Sequence, residues 1–236
     1  MIASYSRNFI FIKTRKTAGT TIEMVLTPFC GDDDIVAPIG KRDELIRGNG
    51  RPICRNFSSD PAVEERVRAS LLRVGPNMLQ DDETQRLDFF NHMDAALIKS
   101  RVSPEFWHRA FKFTAERHPY EKAVSFAYFW HRPRKTDIPF SQHLDRVVRT
   151  GAYPGFELYS IDGQVVFDDI IRFETLREDL NRIGKRLGIA LPADLPRSKH
   201  NRRKDHRPAR EILSEAQKEI VYQRCRREFD LFGYDV

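Results

Sequence analysis

Apolar positions along the chain fall into short blocks with two different periods. Phe9–Lys13 (FIFIK) is an apolar run that ends abruptly in polar residues, the pattern of a strand buried on both faces. Phe111–Glu116 (FKFTAE) alternates apolar and polar residues and predicts a second strand, and Val165–Phe173 a third. Between them the period lengthens. A small-residue loop after Lys13 feeds a helical pattern that Pro28 ends. Pro119 suits a first helical position, followed by Ala123, Val124, Ala127 and Tyr128 at helical spacing. Thr175–Glu178 reads as a capping box before Leu176, Leu180, Ile183 and Leu187, with Gly188 as the stop. A second box, Ser214–Gln217, opens a last helix with Ile220, Val221, Cys225 and Phe229 on one side. Strands alternating with helices predict an α/β fold: a central, mostly parallel sheet flanked by helices in a three-layer sandwich.

The 236 residues fit one domain, 1–236, without internal repeats. Two stretches resist this reading, 31–91, apart from a helix expected near Pro61–Arg73, and 131–160. In an α/β protein such segments lie over the carboxyl ends of strands, so they are candidates for substrate-facing elaborations. Exposed connections without a role fit them equally well. No segment reaches the ~20 apolar residues of a membrane span, and the first residues lack an apolar leader core. A cytoplasmic protein without stable membrane insertion is therefore expected. The three cysteines, Cys30, Cys54 and Cys225, have no metal-ligand spacing and read as reduced thiols. Forty Lys and Arg against 34 Asp and Glu leave a net charge of +6. That balance suits an anionic ligand or an ordinary solvated surface, and a nucleic-acid-binding module finds no aromatic–basic repeat to support it.

The chemistry concentrates in Lys13-Thr-Arg-Lys-Thr-Ala-Gly-Thr-Thr21. A strand, a small-residue loop and a helix start together present free backbone N–H groups and a positive helix end. Arg15 and Lys16 add charge, and Thr20 and Thr21 add hydroxyls. A Walker A loop places its lysine after the second glycine, whereas here Lys16 precedes Gly19 and no glycine opens the loop. A turn whose threonines only cap the helix is the plainer alternative. A second cluster, Arg117-His-Pro-Tyr-Glu-Lys-Ala-Val-Ser125, puts a guanidinium at a strand end and a hydroxyl on the next helix, a geometry able to hold a phosphate.

Together these motifs resemble the PAPS-dependent sulfotransferases (PAPS, 3′-phosphoadenosine-5′-phosphosulfate), in particular the bacterial and carbohydrate branch with its P-loop-like fold. The family's 5′-phosphosulfate loop is similar to Arg15–Thr21 and its 3′-phosphate motif to Arg117–Ser125. Arg15 stands where proline is common, and Lys122 where arginine is common. Asn91–Ile98, Asp162–Asp168, Arg172–Leu176 and Phe229–Tyr234 resemble further family segments in the same order. The likeness is weakest over 31–85 and 131–160.

The resemblance implies a sulfuryl transfer from PAPS to an acceptor hydroxyl, of a saccharide or another small metabolite. It places Lys16 on the bridging and leaving-group oxygens. The 5′-phosphate would lie on Arg15, Thr17, Ala18, Gly19, Thr20 and Thr21, and the 3′-phosphate on Arg117 and Ser125. His92 is the general base it implies, and Asn201 and Arg203 are further cofactor contacts; no metal is required. Histidine suits the role because its unperturbed pKa is about 6.5, although packing beside Phe89 and Phe90 would also explain His92. His118, inside the phosphate motif, reads as structural. The rival is an ATP–Mg²⁺ phosphotransferase, with Asp168 and Asp169 as its acidic candidates. A relative that binds PAPS or its product, 3′,5′-adenosine bisphosphate (PAP), without transfer is a further alternative.

Overall fold

Phe9–Ile12 forms the middle strand of a five-stranded sheet and buries all four side chains. Phe9 and Phe11 enter one cluster and Ile10 and Ile12 another, because successive side chains of a strand point to opposite faces. The computed structural model describes residues 1–73, 87–131, 138–196, 203 and 205–236. Its sheet runs β3-β1-β2-β4-β7, with β1 at Ile2–Ser4, β2 at Phe9–Ile12, β3 at Ile35–Val36, β4 at Phe111–Glu116 and β7 at Asp169–Arg172. β2, β4 and β7 are parallel, whereas β1 lies antiparallel to both β2 and β3. The sheet is thus mixed, with a parallel core. The expected mostly parallel sheet needs that correction, because Ile2–Ser4 returns directly into β2 through a tight turn, and a short turn joins only antiparallel strands.

The helices among the described residues are α1 (Gly19–Leu26), α2 (Lys41–Arg47), α3 (Pro61–Leu72), α4 (Ala95–Arg101), α5 (Pro104–Arg109), α6 (Pro119–Trp130), α7 (Phe140–Thr150), α8 (Leu176–Leu187), α9 (Ala209–Ile212), α10 (Glu215–Arg224) and α11 (Arg226–Phe232). Ile22 and Leu26 of α1 and Leu180 and Ile183 of α8 cover the phenylalanine face of the sheet. Val63 and Val67 of α3, Ile98 of α4 and Phe106 of α5 cover the isoleucine face. A third cluster joins α6, α7, α10 and α11 around Tyr120, Val148, Val221 and Phe229.

Several local expectations change. The region Val165–Phe173 splits into a hairpin strand β6 (Gln164–Val165), paired with β5 (Ser160–Ile161), and the sheet strand β7. Asp162 and Gly163 both have positive φ between β5 and β6, as a two-residue primed turn requires. The Thr175 capping box does not form: its hydroxyl donates to Asp179 Oδ2 at 2.9 Å, which also accepts from Arg172 N. The Ser214–Gln217 box does form. The last helical pattern breaks at Cys225 into α10 and α11, so that Val221, Cys225 and Phe229 all reach the third cluster. Among the described residues, no helix is long and apolar enough to cross a membrane.

The parallel strands set the site. β2, β4 and β7 end at Ile12, Glu116 and Arg172. Lys13, Arg117 and Phe173 therefore leave the sheet along one carboxyl edge, where open α/β sheets bind ligands.

Candidate functional site

A cleft of about 1300 Å³ opens over that edge. Arg15, Lys16, Thr17, Ala18, Gly19, Thr20, Thr21, His92, Arg117, Ser125 and Arg203 all line it. Asn201 lies outside the described residues. The two motifs, about a hundred residues apart in sequence, face one volume because β2 and β4 are parallel neighbours.

The loop is built around a neutralised lysine. Lys13, 2 % exposed, donates to Glu23 Oε2 at 2.5 Å, and Glu23 also accepts from the Met1 ammonium at 2.6 Å. Burial alone would raise the Glu23 carboxyl, but Lys13 and the ammonium bring it down to about 2. The Lys13 stem crosses beneath Gly19, where a Cβ would stand 2.7 Å from Lys13 Cγ. Glycine is required there by that close approach, not by its φ. Lys16 and Ala18 adopt left-handed conformations, with φ of 64° and 60°. Each costs a non-glycine residue about 1–2 kcal/mol, and strain of this kind gathers at ligand-binding turns. The turn delivers the chain into α1 with no side chain capping its first N–H groups and no acidic residue in its first turn. Those N–H groups and the positive helix end face the cleft. Thr17 is wholly buried, and its hydroxyl is engaged within the loop by a hydrogen bond shared with Thr14 at 2.9 Å. Thr21 Oγ1 donates to Pro196 O at 3.0 Å and ties the helix start to the 196 segment. Lys16 lays its ammonium 4.1 Å from the Phe129 ring centroid.

At the other end, the Arg117 guanidinium stacks 3.9 Å above Phe173 and donates to Glu121 Oε2 at 3.1 Å. Its Nε is buried without a partner among the described residues. Glu121 Oε2 also accepts from Arg203 Nη1 at 2.5 Å, and Oε1 accepts from Ala209 N at 2.7 Å. One carboxylate thus holds two guanidinium groups side by side. Burial would raise the Glu121 carboxyl, but the Ala209 N–H, Arg203 and Arg117 hold it below the ordinary value. Burial pushes both Arg117 and Arg15 below the usual guanidinium range. A bound anion would favour their charged forms and reverse the effect. Ser125 stands one turn beyond Glu121 on the same face of α6, at the cleft wall.

His92 closes the site from a left-handed residue, φ 60°. Its Nδ1 lies 3.3 Å from the Lys13 carbonyl oxygen. Since a carbonyl only accepts, Nδ1 carries the proton and Nε2 keeps its lone pair. Burial first, then the Lys13 and Arg15 cations, hold the imidazole well below its ordinary pKa. The ring is neutral at pH 7 and competent to accept a proton. His118 instead caps α6, accepting from Tyr120 N at 3.3 Å and donating to Asp235 O at 3.0 Å, so both ring nitrogens have partners within the fold. Lys122 forms a buried pair with Glu116 at 2.5 Å and is not among the residues that line the cleft.

Three contributors have no role in the motif reading, although it quotes the segments that hold the first and the last: Glu121, Phe129 and Phe173. The signal for the first two was present, since Glu121, Ser125 and Phe129 recur every fourth residue along one helix. Phe173 is visible only once β7 is placed beside β4. Asp168 and Asp169 sit at the amino end of β7, where Asp168 accepts from Lys112 N at 2.7 Å and Asp169 pairs with Arg182. Neither lines the cleft, so the acids considered for a phosphotransferase lie at the opposite edge of the sheet. Among the described residues, no group of three or more His, Cys, Asp or Glu gathers to hold a metal ion. No family model matches the chain, and no curated protein or solved structure matches it either.

Proposed function

We propose that the protein is a PAPS-dependent sulfotransferase with a P-loop-like fold, acting on a hydroxyl of a saccharide or other small metabolite. One observation carries the reading. Two separate clusters of cationic and N–H or hydroxyl donors, the Arg15–Thr21 loop and the Arg117–Ser125–Arg203 group, line one cleft with His92. A nucleotide with phosphates only on its 5′ side would use the first site and leave the second empty. A 3′,5′-substituted nucleotide uses both. The orphaned, buried Arg117 Nε fits an additional acceptor oxygen, as a 3′-phosphate supplies.

PAPS, when bound, supplies a sulfuryl group already activated by a phosphate leaving group. The loop amides from Thr17 to Thr21 would hold the 5′-phosphate, and Arg15 would offset its charge. Lys16 would stabilise the negative charge that grows on the leaving oxygen. His92 Nε2 would take the proton of the attacking hydroxyl. Arg117, Arg203 and Ser125 would fix the 3′-phosphate and so set the reach of the donor along the cleft.

Two measurements bear on these roles. Arg117→Ala should weaken PAP binding about 10- to 100-fold, the worth of a charged hydrogen-bonded contact, while leaving AMP binding within about threefold. Equal losses for both nucleotides would remove Arg117 from the 3′-phosphate site. His92→Asn should slow transfer by about 10²- to 10⁴-fold. Because its pKa is depressed, the wild-type kcat/KM should stay flat from pH 8 down past 6.5 and fall only at lower pH. An acid limb that survives in His92→Asn would assign the proton to another group.

A further inference from the structure

Two lysines three residues apart in this loop meet different kinds of partner. Lys13 is neutralised by the Glu23 carboxylate at 2.5 Å. Lys16 meets an aromatic face, with Nζ 4.1 Å from the Phe129 centroid. The difference is chemical. A carboxylate holds an ammonium and cancels its charge, whereas a ring face holds it through the quadrupole and leaves the full charge to act on a third group. A lysine meant to stabilise a leaving anion needs the second kind of support.

The ring has a further aromatic contact. Phe129 packs edge-on against Trp130, with centroids 5.1 Å apart and planes at 89°. It follows Glu121 and Ser125 at four-residue intervals along α6. Each interval advances about 6 Å along the helix axis, so Phe129 stands about 12 Å beyond Glu121. One helix face therefore carries the support for Arg117 at one end and the support for Lys16 at the other. At the loop side, the left-handed backbone of Lys16 fixes the direction from which its side chain enters the cleft.

We propose that Phe129 is a positioning residue for sulfuryl transfer, holding the Lys16 ammonium at the leaving-group end of the cleft in register with the 3′-phosphate end of the same helix. This rests on the sulfotransferase reading. The ring does not touch the reacting atoms; it confines Lys16 to the few rotamers that can reach them.

The test uses the full chain and the donor alone, with water as acceptor. In that reaction a water oxygen bonds to sulfur as the bridging S–O bond to the 5′-phosphate breaks. The bond pair leaves with PAP, and a water proton passes to solvent. Phe129→Leu should slow PAPS consumption about tenfold, the scale of a desolvated cation–π contact. Its PAP affinity should stay within about twofold, and Phe129→Tyr should restore the rate. In NMR spectra, the Lys16 ε-methylene signal of the wild type should be shifted upfield by the ring current. The shift should vanish in Phe129→Leu and persist in Phe129→Tyr. An unmoved Lys16 signal or a wild-type rate in Phe129→Leu would overturn the inference. So would a parallel loss of PAP affinity in both variants, which marks a general packing defect. A wild-type protein that binds PAP but consumes no PAPS would instead defeat the transfer reading, and the role of Phe129 with it.

Discussion

On the proposed sulfuryl transfer, Lys16→Ala is expected to reduce PAPS turnover by about 10²- to 10³-fold, the loss typical of removing one donor that stabilises a developing anion. PAP affinity should change by less than about fivefold, because the amides of the turn and the Arg117 group remain. The separation of the two effects is the informative part. Charge on the bridging oxygen grows only as the S–O bond breaks, so a group aimed at it contributes to the transition state more than to the bound ground state. The fold should tolerate the change. Lys16 is only half-buried and already left-handed, a conformation that Ala18 adopts two residues later. Turnover rates by product release, set beside calorimetric PAP titrations, give both numbers. A variant that loses affinity and rate by the same factor would make Lys16 an ordinary binding cation.

Glu23→Gln should produce the largest loss of stability. The substitution keeps the shape of the side chain and removes the carboxylate charge that faces the Lys13 ammonium, which is only 2 % exposed. Breaking a buried pair from one side costs about 3–5 kcal/mol, or roughly 10 °C in Tm for a chain of this size. The pH dependence follows from the direction of the shift. Glu23 sits at about 2 in the folded protein against an ordinary 4.5. Its contribution is therefore complete above pH 4.5 and disappears as pH falls through 2. Denaturant titrations from pH 7 to 2 should show a steeper acid loss in the wild type than in Glu23→Gln. Equal slopes, or a Tm within 2 °C, would contradict the account of this pair. The consequence reaches the site, since the Lys13 stem underlies Gly19 and its carbonyl oxygen orients His92.

The legible parts of this fold were those with a strong local period. FIFI announced a strand buried on both faces, and the Pro119 helix begins where proline predicts. β1 and β3 went unseen because strands of three and two residues, Ile2–Ser4 and Ile35–Val36, are too short to show a period. They turn the sheet from mostly parallel to mixed. α7 was hidden within 131–160, although Leu144, Val147 and Val148 sit at helical spacing, because prolines and basic residues before it mask the pattern. An alternation like that of β4 usually marks a half-solvated strand, yet Thr114 and Glu116 are fully buried. Thr114 donates to Ile12 O at 2.8 Å, and Glu116 is matched by Lys122. Tertiary partners had reversed the meaning of the alternation.

For the site, the local spacings survived translation into three dimensions and the long-range ones had to be found. Arg117 and Ser125 are joined by one strand end and one helix. The clasp from Glu121 to Arg203 spans 82 residues and leaves no periodic trace. The same holds for Arg117 on Phe173, which depends on β7 lying beside β4. Charge composition was uninformative in the end. The cations that matter are distinguished by what supports them: a carboxylate under Lys13, a ring under Lys16, a shared glutamate between Arg117 and Arg203.

The proposed function depends on recognition of a nucleotide carrying phosphates on both its 5′ and 3′ sides. Thermal unfolding with PAP compared with ATP–Mg²⁺ tests it most directly. A ligand that binds only the folded chain stabilises it by mass action, about 2.7 kcal/mol at a hundredfold excess over Kd. PAP should therefore raise Tm by roughly 5–10 °C, with ATP–Mg²⁺ giving little or no shift. Stabilisation by ATP–Mg²⁺ without stabilisation by PAP would contradict the account.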